Sequence, residues 1–351
     1  AGLGRLSGAA LTLHAAVARP TAANVEKGRK ELETLYAIIT AMARDFPVRA
    51  GIARTPTEFR RLVAEKKFAI VLGFQNAFPL ADVAELDAWA ARGVSQFAFA
   101  FIGNNRWADS ARPYPFIGGT LRSGGLSDLG KRGVRRLNDL GVLVDVSQLS
   151  SEALRDVLAE SRAPVVASHS TVRGLLDVDR NLSDGELRAI RDGGGVVQIG
   201  AFGLYLRPLD AAMMAGLRAH WTRYGLKAPQ SLAAALTVND PETRDWPEER
   251  FWTFLHEFHE VLVLEKPTAT LRDLGDAIDY AVERIGIDHV GIASDFNHGG
   301  GVIGWSHAGE TVNVTAELLS RGYTDAEIAK LWGENYLRVW RKARDVAGLP
   351  S

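Results

Sequence analysis

Polar side chains collect where the short apolar runs of this sequence stop. Run 68–75 ends in Gln75-Asn76, and run 95–101 ends in Phe101 and leads to Asn104-Asn105. Run 143–147 carries Asp145 and is followed by Gln148; run 165–169 ends in His169-Ser170; run 196–201 holds Gln198. Run 290–295 closes on Asp295, with Asn297 and His298 just beyond. His169 offers an imidazole for metal ligation or proton transfer. Asp295 suits a general base, a metal ligand or a partner for an ammonium group. Arg180 can clamp a carboxylate with two parallel hydrogen bonds. Each has a plainer use as well: strand-end capping, a structural histidine or, for Arg180, an ion pair with Asp177 or Asp179. Several such ends taken together put a common site on an equal footing with separate caps.

Residues so far apart in sequence meet only if the fold brings equivalent strand ends to one edge. The apolar runs, with 10–17 as the first, are short, rich in β-branched residues and often continuous, as strands buried on both faces are. Amphipathic helical stretches alternate with them at 24–44, 56–65, 81–91, 127–140, 151–160 and 183–191, with a final group over 308–347. Ser150-Ser151-Glu152 and Ser183-Asp184-Gly185-Glu186 look like helix starts, and Gly93, Gly141 and Gly193 like helix stops. Strand then helix, repeated, means a parallel sheet with crossover helices. Seven runs fit an open doubly wound sheet, whereas a closed barrel needs eight strands. No glycine-rich nucleotide loop follows an early run. The expectation is therefore a (β/α)8 TIM-type barrel whose first strand is unrecognised or missing from this chain. Its site lies at the C-terminal strand ends. Segment 203–267 breaks the repeat and reads as a helical insertion over one mouth, with Tyr205, Trp221, Tyr224, Trp246 and Trp252 in it. No linker interrupts residues 1–351, which read as one barrel domain.

Composition excludes several chemistries. The 351 residues contain no cysteine, so disulfides, thiolate nucleophiles and cysteine-based zinc sites are out. A formal net charge of -1 gives no footprint for nucleic acid. No stretch of about 18 apolar residues exists to span a membrane. The start of the chain lacks the pattern of a signal peptide, and compartment stays open between cytoplasm and periplasm. His256-Glu257-Phe258-His259-Glu260 has histidines three apart, not the four of the zinc-protease helix, and reads as a solvated face. There is no Gly-x-Ser-x-Gly elbow.

The stretches Leu143-Val144-Asp145-Val146-Ser147, Ala167-Ser168-His169-Ser170, Asp179-Arg180-Asn181-Leu182-Ser183-Asp184, Gly194-Gly195-Val196-Val197-Gln198 and Val290-Gly291-Ile292-Ala293-Ser294-Asp295-Phe296 carry a resemblance, in order, along nearly the whole chain. Trp107-Ala108-Asp109-Ser110 and Gly333-Glu334-Asn335 extend it. The chain resembles the membrane (renal) dipeptidase family, zinc peptidases of amidohydrolase-like barrels. The resemblance implies two adjacent divalent metals, usually zinc, and hydrolysis of dipeptides by a metal-bridged hydroxide. It matches His169 to a metal ligand, Arg180 to the arginine that holds the substrate carboxylate, and Asp295 to the acid that handles protons and faces the substrate amine. Asn104 and Asn297 join Arg180 as candidate substrate contacts.

Other positions depart from that pattern. Gln75 stands where the resemblance implies a bridging Glu, Gln148 where it implies a His, and Phe101 where it implies the His that polarises the carbonyl. The family's first strand ends in a His-x-Asp pair, which this chain is expected to lack because it begins just after it. A carboxamide is a poor ligand for zinc, so Gln75 and Gln148 weaken the metal site they would serve. Two readings follow: a dipeptidase-like hydrolase with a depleted zinc site, or an impaired barrel that binds a small amino-acid-like ligand without turnover. The partner in either case is a dipeptide-like small molecule, with a homodimer as a further possibility.

Overall fold

The computed structural model describes residues 6–16, 18–113, 122–237, 243, 245–263 and 269–351. Its eight strands are β1 (Gly8–His14), β2 (Ala50–Ala53), β3 (Phe68–Gln75), β4 (Val94–Ala98), β5 (Leu143–Asp145), β6 (Val166–Ser170), β7 (Val196–Gly200) and β8 (Val290–Ala293). All pairings are parallel, and the wall runs β1-β3-β4-β5-β6-β7-β8, with β2 attached to β3. Alternate amides of a strand point to opposite neighbours. The Ala69 amide donates to Ser7 beside β1, the Phe68 amide to Arg49 beside β2, and the Asn76 amide to Ala98 of β4. Strand β2 therefore fills the lower part of the flank that β4 takes above it.

This corrects one expectation. The eighth strand is β2, not a segment before the first run. The first run sits earlier than 10–17 and stops at the imidazole of His14; Val17 lies outside the described residues. The other runs appear as strands at or within three residues of the expected ends, with β4 stopping at Ala98 rather than Phe101, β5 at Asp145 and β8 at Ala293 rather than Asp295, and the fold is a (β/α)8 TIM-type barrel.

Helices α1 (Ala22–Asp45), α2 (Pro56–Ala64), α3 (Ala84–Ala91), α4 (Asp128–Asp139), α5 (Ser151–Glu160) and α6 (Asp184–Asp192) follow the early strands. Ser150 caps α5 by accepting from the Ala153 amide, and Ser183 with Glu186 forms a reciprocal capping box on α6. Gly93 and Gly141 take the left-handed backbone that ends a helix. After α6 that role falls to Gly194 (φ 76°) instead of Gly193.

The period-two alternation of the strands stacks the barrel interior in layers. At the N-terminal end Ala69, Val71, Leu143, Val166 and Val196 form an apolar floor. Leu337 and Trp340 of α14 (Asn335–Val346) plug it from below. One layer up the same faces turn polar, with Gln96, Asp145 and Ser168. At the top come Gln75 and the loops after the strands.

The insertion between β7 and β8 holds α7 (Gly203–Leu206), α8 (Ala211–Arg223), α9 (Leu232–Thr237) and α10 (Glu248–Val263). Leu217, Trp221, Phe251, Phe254 and Phe258 make a second core there, which also takes in Ile102 and Val178. Those two come from loops after β4 and β6, on the C-terminal side of the barrel. The insertion is thus moored to the loops that carry Asn104 and Arg180. Helix α11 (Leu271–Ile285) returns the chain to β8, and α12 (Thr311–Ser320) and α13 (Asp325–Ala329) lead to α14.

Candidate functional site at the C-terminal mouth

Gln75, Gln148 and His169 meet at the top of the barrel. The Gln75 and Gln148 side-chain nitrogens stand 3.3 Å and 3.2 Å from His169 Nε2. Strand β6 brings its histidine there through an irregularity, since its register with β7 shifts between Ala167 and Ser170. An extra residue in one strand re-aims the side chains beside it. Ser168 and His169 consequently both reach the interior. Gln148 gets there by a left-handed turn (φ 72°) after β5.

Four of the five described non-glycine residues with positive φ border this mouth: Asn76 (φ 74°), Gln148, Asp295 (φ 53°) and Asn297 (φ 68°). That backbone region is disfavoured for side chains larger than glycine, and such residues cluster at functional sites. Asn76 is held by its own contacts, donating to the Ala15 carbonyl and accepting from the Phe78 amide.

Arg180 is buried beneath the same mouth. It donates from Nη1 to Ser170 Oγ (3.1 Å) and from Nη2 to the His169 carbonyl, with its Cζ 5.6 Å from the Tyr205 ring centre. Its Nε has no hydrogen-bond partner, and no carboxylate lies within 4.0 Å of it among the described residues. Asp177 and Asp179 pair with Arg173 instead, which removes the plainer use of Arg180. Burial and the Arg112 charge pull the Arg180 pKa down, against Tyr205, Asp295 and Asp145.

Asp295 faces Arg180 across a gap wider than an ion pair, and burial pushes its carboxyl up to about 7 despite the guanidinium. Stability should record this shift. An unfolded aspartate ionises near its ordinary value of 3.8, whereas the folded carboxyl keeps its proton to about 7. Between those values only the unfolded chain releases a proton, so stability falls as pH rises across the window and is flat above it. At about 1.4 kcal/mol per unit the slope sums to as much as roughly 4 kcal/mol. Thermal unfolding of Asp295→Asn between pH 4 and 8 is expected to lack this slope.

Two histidines complete the rim. His14 ends β1 directly across from Gln75 in the β1–β3 register, and its ring meets that of His298 edge-on at 4.4 Å between centres. Burial and His298 hold His14 down at about 4; His169 is pushed well below its usual range by burial, with Arg180 and His298 adding to it. These imidazoles are neutral bases at neutral pH. His14 was not among the sequence candidates, because run 10–17 placed it in mid-strand.

Asn104 is buried and spends its side-chain oxygen on the Ser110 amide of its own loop. Asn297 is exposed at the rim. Gln198 sits mid-strand and donates to the Ile292 carbonyl, away from the mouth. Phe101 packs against the second core. On α10, His256 is exposed and paired with Glu260, as a solvated face requires, whereas His259 is half-buried and lowered to about 4 by burial and Arg112.

The donor set at this mouth does not fit the metal pair that the resemblance implies. His14 recovers the histidine of the first-strand pair, but Ala16 stands two residues on, where an aspartate is needed. His169 Nε2 is already occupied by two carboxamide nitrogens, at 3.3 Å and 3.2 Å. Among the described residues no three His, Asp or Glu side chains converge as a cage.

A family model for membrane dipeptidase (Peptidase family M19) matches residues 3–349. Dipeptidase tcpJ of Claviceps purpurea is 27% identical over 304 residues, 85% of this chain and 56% of that protein. Dipeptidase verJ of Clonostachys rogersoniana is 27% identical over 332 residues, 93% of this chain and 68% of that one. The chain therefore spans only about half to two thirds of these relatives. Among solved structures, the probable dipeptidase PvdM from Pseudomonas aeruginosa is 52% identical with a TM-score of 0.94, over 98% of this chain and 88% of that one. A metallo peptidase from Rhodobacter sphaeroides, liganded with a phosphinate mimic of the dipeptide L-Ala-D-Ala, has the same fold at 18% identity, TM-score 0.73, over 97% and 88%.

Proposed function

The chain belongs to the membrane dipeptidase family, and from that premise we propose that it is a dipeptidase-like hydrolase with a depleted metal site, acting on a small dipeptide-like amide at the barrel mouth. The observation that carries this is the buried Arg180, with no carboxylate partner among the described residues and Asp295 across a gap from it. Arg180 takes the ligand's carboxylate and Asp295 faces its amine. Asn104 and Asn297 lie on the loops that border the space between. In hydrolysis the Asp295 carboxylate accepts a proton from the attacking water as its oxygen bonds to the carbonyl carbon. The carboxyl then returns that proton to the amine as the C–N bond breaks. No pair of cations meets the oxyanion, so turnover should fall orders of magnitude below that of a two-metal relative.

Elemental analysis of protein purified without chelators should find less than one zinc per chain; two tightly held metals would overturn the depleted site. A dipeptide panel assayed with and without zinc tests the hydrolase. Turnover should rise through about pH 7 as Asp295 ionises, and Asp295→Asn should lose that limb. A second reading, ligand binding without turnover, is favoured by the two carboxamides on His169 Nε2. Binding of a panel member with no cleavage in any condition would select it.

A further inference from the structure

Beneath the mouth runs a chain of hydrogen bonds that the mechanism above does not use. Tyr336, on α14, donates to Gln96 Oε1 (3.0 Å), and Gln96 Nε2 donates to Asp145 Oδ2 (3.0 Å). Asp145 is fully buried, and its Oδ1 accepts from the Ser147 and Ser168 amides at 3.0 Å and 3.1 Å. Its Oδ2 also accepts the Ser168 hydroxyl proton. Ser168 Oγ in turn stands 2.7 Å from His169 Nδ1. Burial pushes the Asp145 carboxyl up, and the hydrogen bonds from Ser168 and Ser147 pull it back. Three of its contacts come from N–H groups that can only donate, and the Ser168 hydroxyl donates to Oδ2, so Asp145 is the acceptor of this chain. A hydroxyl has one proton. With that proton committed to Asp145, Ser168 Oγ offers His169 only a lone pair, and Nδ1 must carry the hydrogen. The far side of the ring agrees, since both side-chain nitrogens near Nε2 are amide donors.

We propose that Asp145 and Ser168 are positioning residues that lock His169 in its Nδ1–H tautomer, presenting the Nε2 lone pair to the mouth as a fixed acceptor. His169 is then neither an acid nor a donor. Whatever replaces the two glutamine amides on Nε2 must bring an N–H or O–H donor or a cation, which favours the amine or amide nitrogen of a ligand over its carbonyl. The consequence for ligands rests on the proposed function; the tautomer itself does not, and it is read without any assay of turnover.

The test is nitrogen NMR of protein labelled in its histidine rings, with His169→Gln identifying the resonances. In the parent protein at pH 7, Nδ1 should appear as the protonated nitrogen and Nε2 as the bare one. Ser168→Ala should lose that pattern and Ser168→Thr should restore it. Asp145→Asn should reverse it, because an amide N–H directed at Ser168 frees the hydroxyl proton for Nδ1. Ser147→Ala removes contacts to the His169 backbone amide (3.1 Å), to Ser170 Oγ (3.4 Å) and to Asp145, but leaves Ser168 between Asp145 and the ring, so the ring resonances should stay in place, controlling for general disturbance. A parent spectrum with the proton on Nε2, or a folded Ser168→Ala protein with unchanged ring nitrogens, overturns the proposal.

Discussion

The double variant Gln75→Glu/Gln148→His should bind zinc at least about a thousandfold more tightly than the parent protein. In the parent, a cation approaching His169 must displace two amide groups from Nε2 and then finds only neutral oxygens in their place. The substitutions remove both caps and supply an anionic oxygen and a second imidazole, with His14 in register beside position 75. A single unit-charge contact at about 4 Å is worth about 4 kcal/mol at an effective dielectric near 20, which alone is roughly three orders of magnitude. A further histidine completes the three to four donors that zinc requires. Without metal the new carboxylate is buried among groups that cannot neutralise it, so the variant should melt below the parent and recover when zinc is added. Calorimetric titration with zinc, alongside melting curves with and without it, reads both effects. Equal affinities in two folded proteins would show that the glutamines are not what depletes the site.

That the mouth could be assembled from sequence at all reflects how barrels work: equivalent strand ends converge, so polar residues after apolar runs are a readable signal. Gln75, Gln148, His169, Arg180 and Asp295 carried it. What was not legible depended on pairing between strands. Strand β2 is only four residues, Ala50-Gly51-Ile52-Ala53, three of them small, with no period of its own; it is a strand because β3 offers a free flank. His14 ends β1 because the partner strand ends at Gln75, and nothing in run 10–17 marks that point. Ser168 would point away from a partner of His169 in a regular strand, and only the shifted register with β7 puts both in one cluster. Gln96 and Tyr336 lie 240 positions apart and meet because α14 plugs the barrel floor. Local pattern gives elements and their ends approximately; register and bulges are decided by neighbours, and the finest contacts of the site follow from them.

Arg180→Met should weaken binding of a free dipeptide such as Ala-Ala by about thirtyfold to several thousandfold while leaving the protein folded. The guanidinium is fully enclosed, with two of its nitrogens held by Ser170 and the His169 carbonyl and Nε left without a partner. A buried cation without a counter-ion carries a desolvation cost of several kcal/mol, which an incoming carboxylate offsets. Removing one member of such a buried, hydrogen-bonded charge pair typically costs about 2–5 kcal/mol in binding. In the unliganded protein the same change has two opposed effects. The uncompensated charge disappears, but Ser170 and the His169 carbonyl lose a donor worth about 1–3 kcal/mol where left unsatisfied. These largely cancel, so the melting temperature without ligand should move by only a few degrees. Arg180→Lys should fall between the two, keeping the charge but not the planar fork. The decisive comparison pairs the substitution with a ligand change, using a dipeptide whose C-terminal carboxylate is replaced by a carboxamide. The amidated ligand should bind the parent protein weakly and be nearly indifferent to Arg180→Met, giving a coupling energy close to the full loss. Equal binding of acid and amide to the parent would mean that Arg180 does not hold the carboxylate, and the assignment of this mouth to dipeptide-like ligands would go with it.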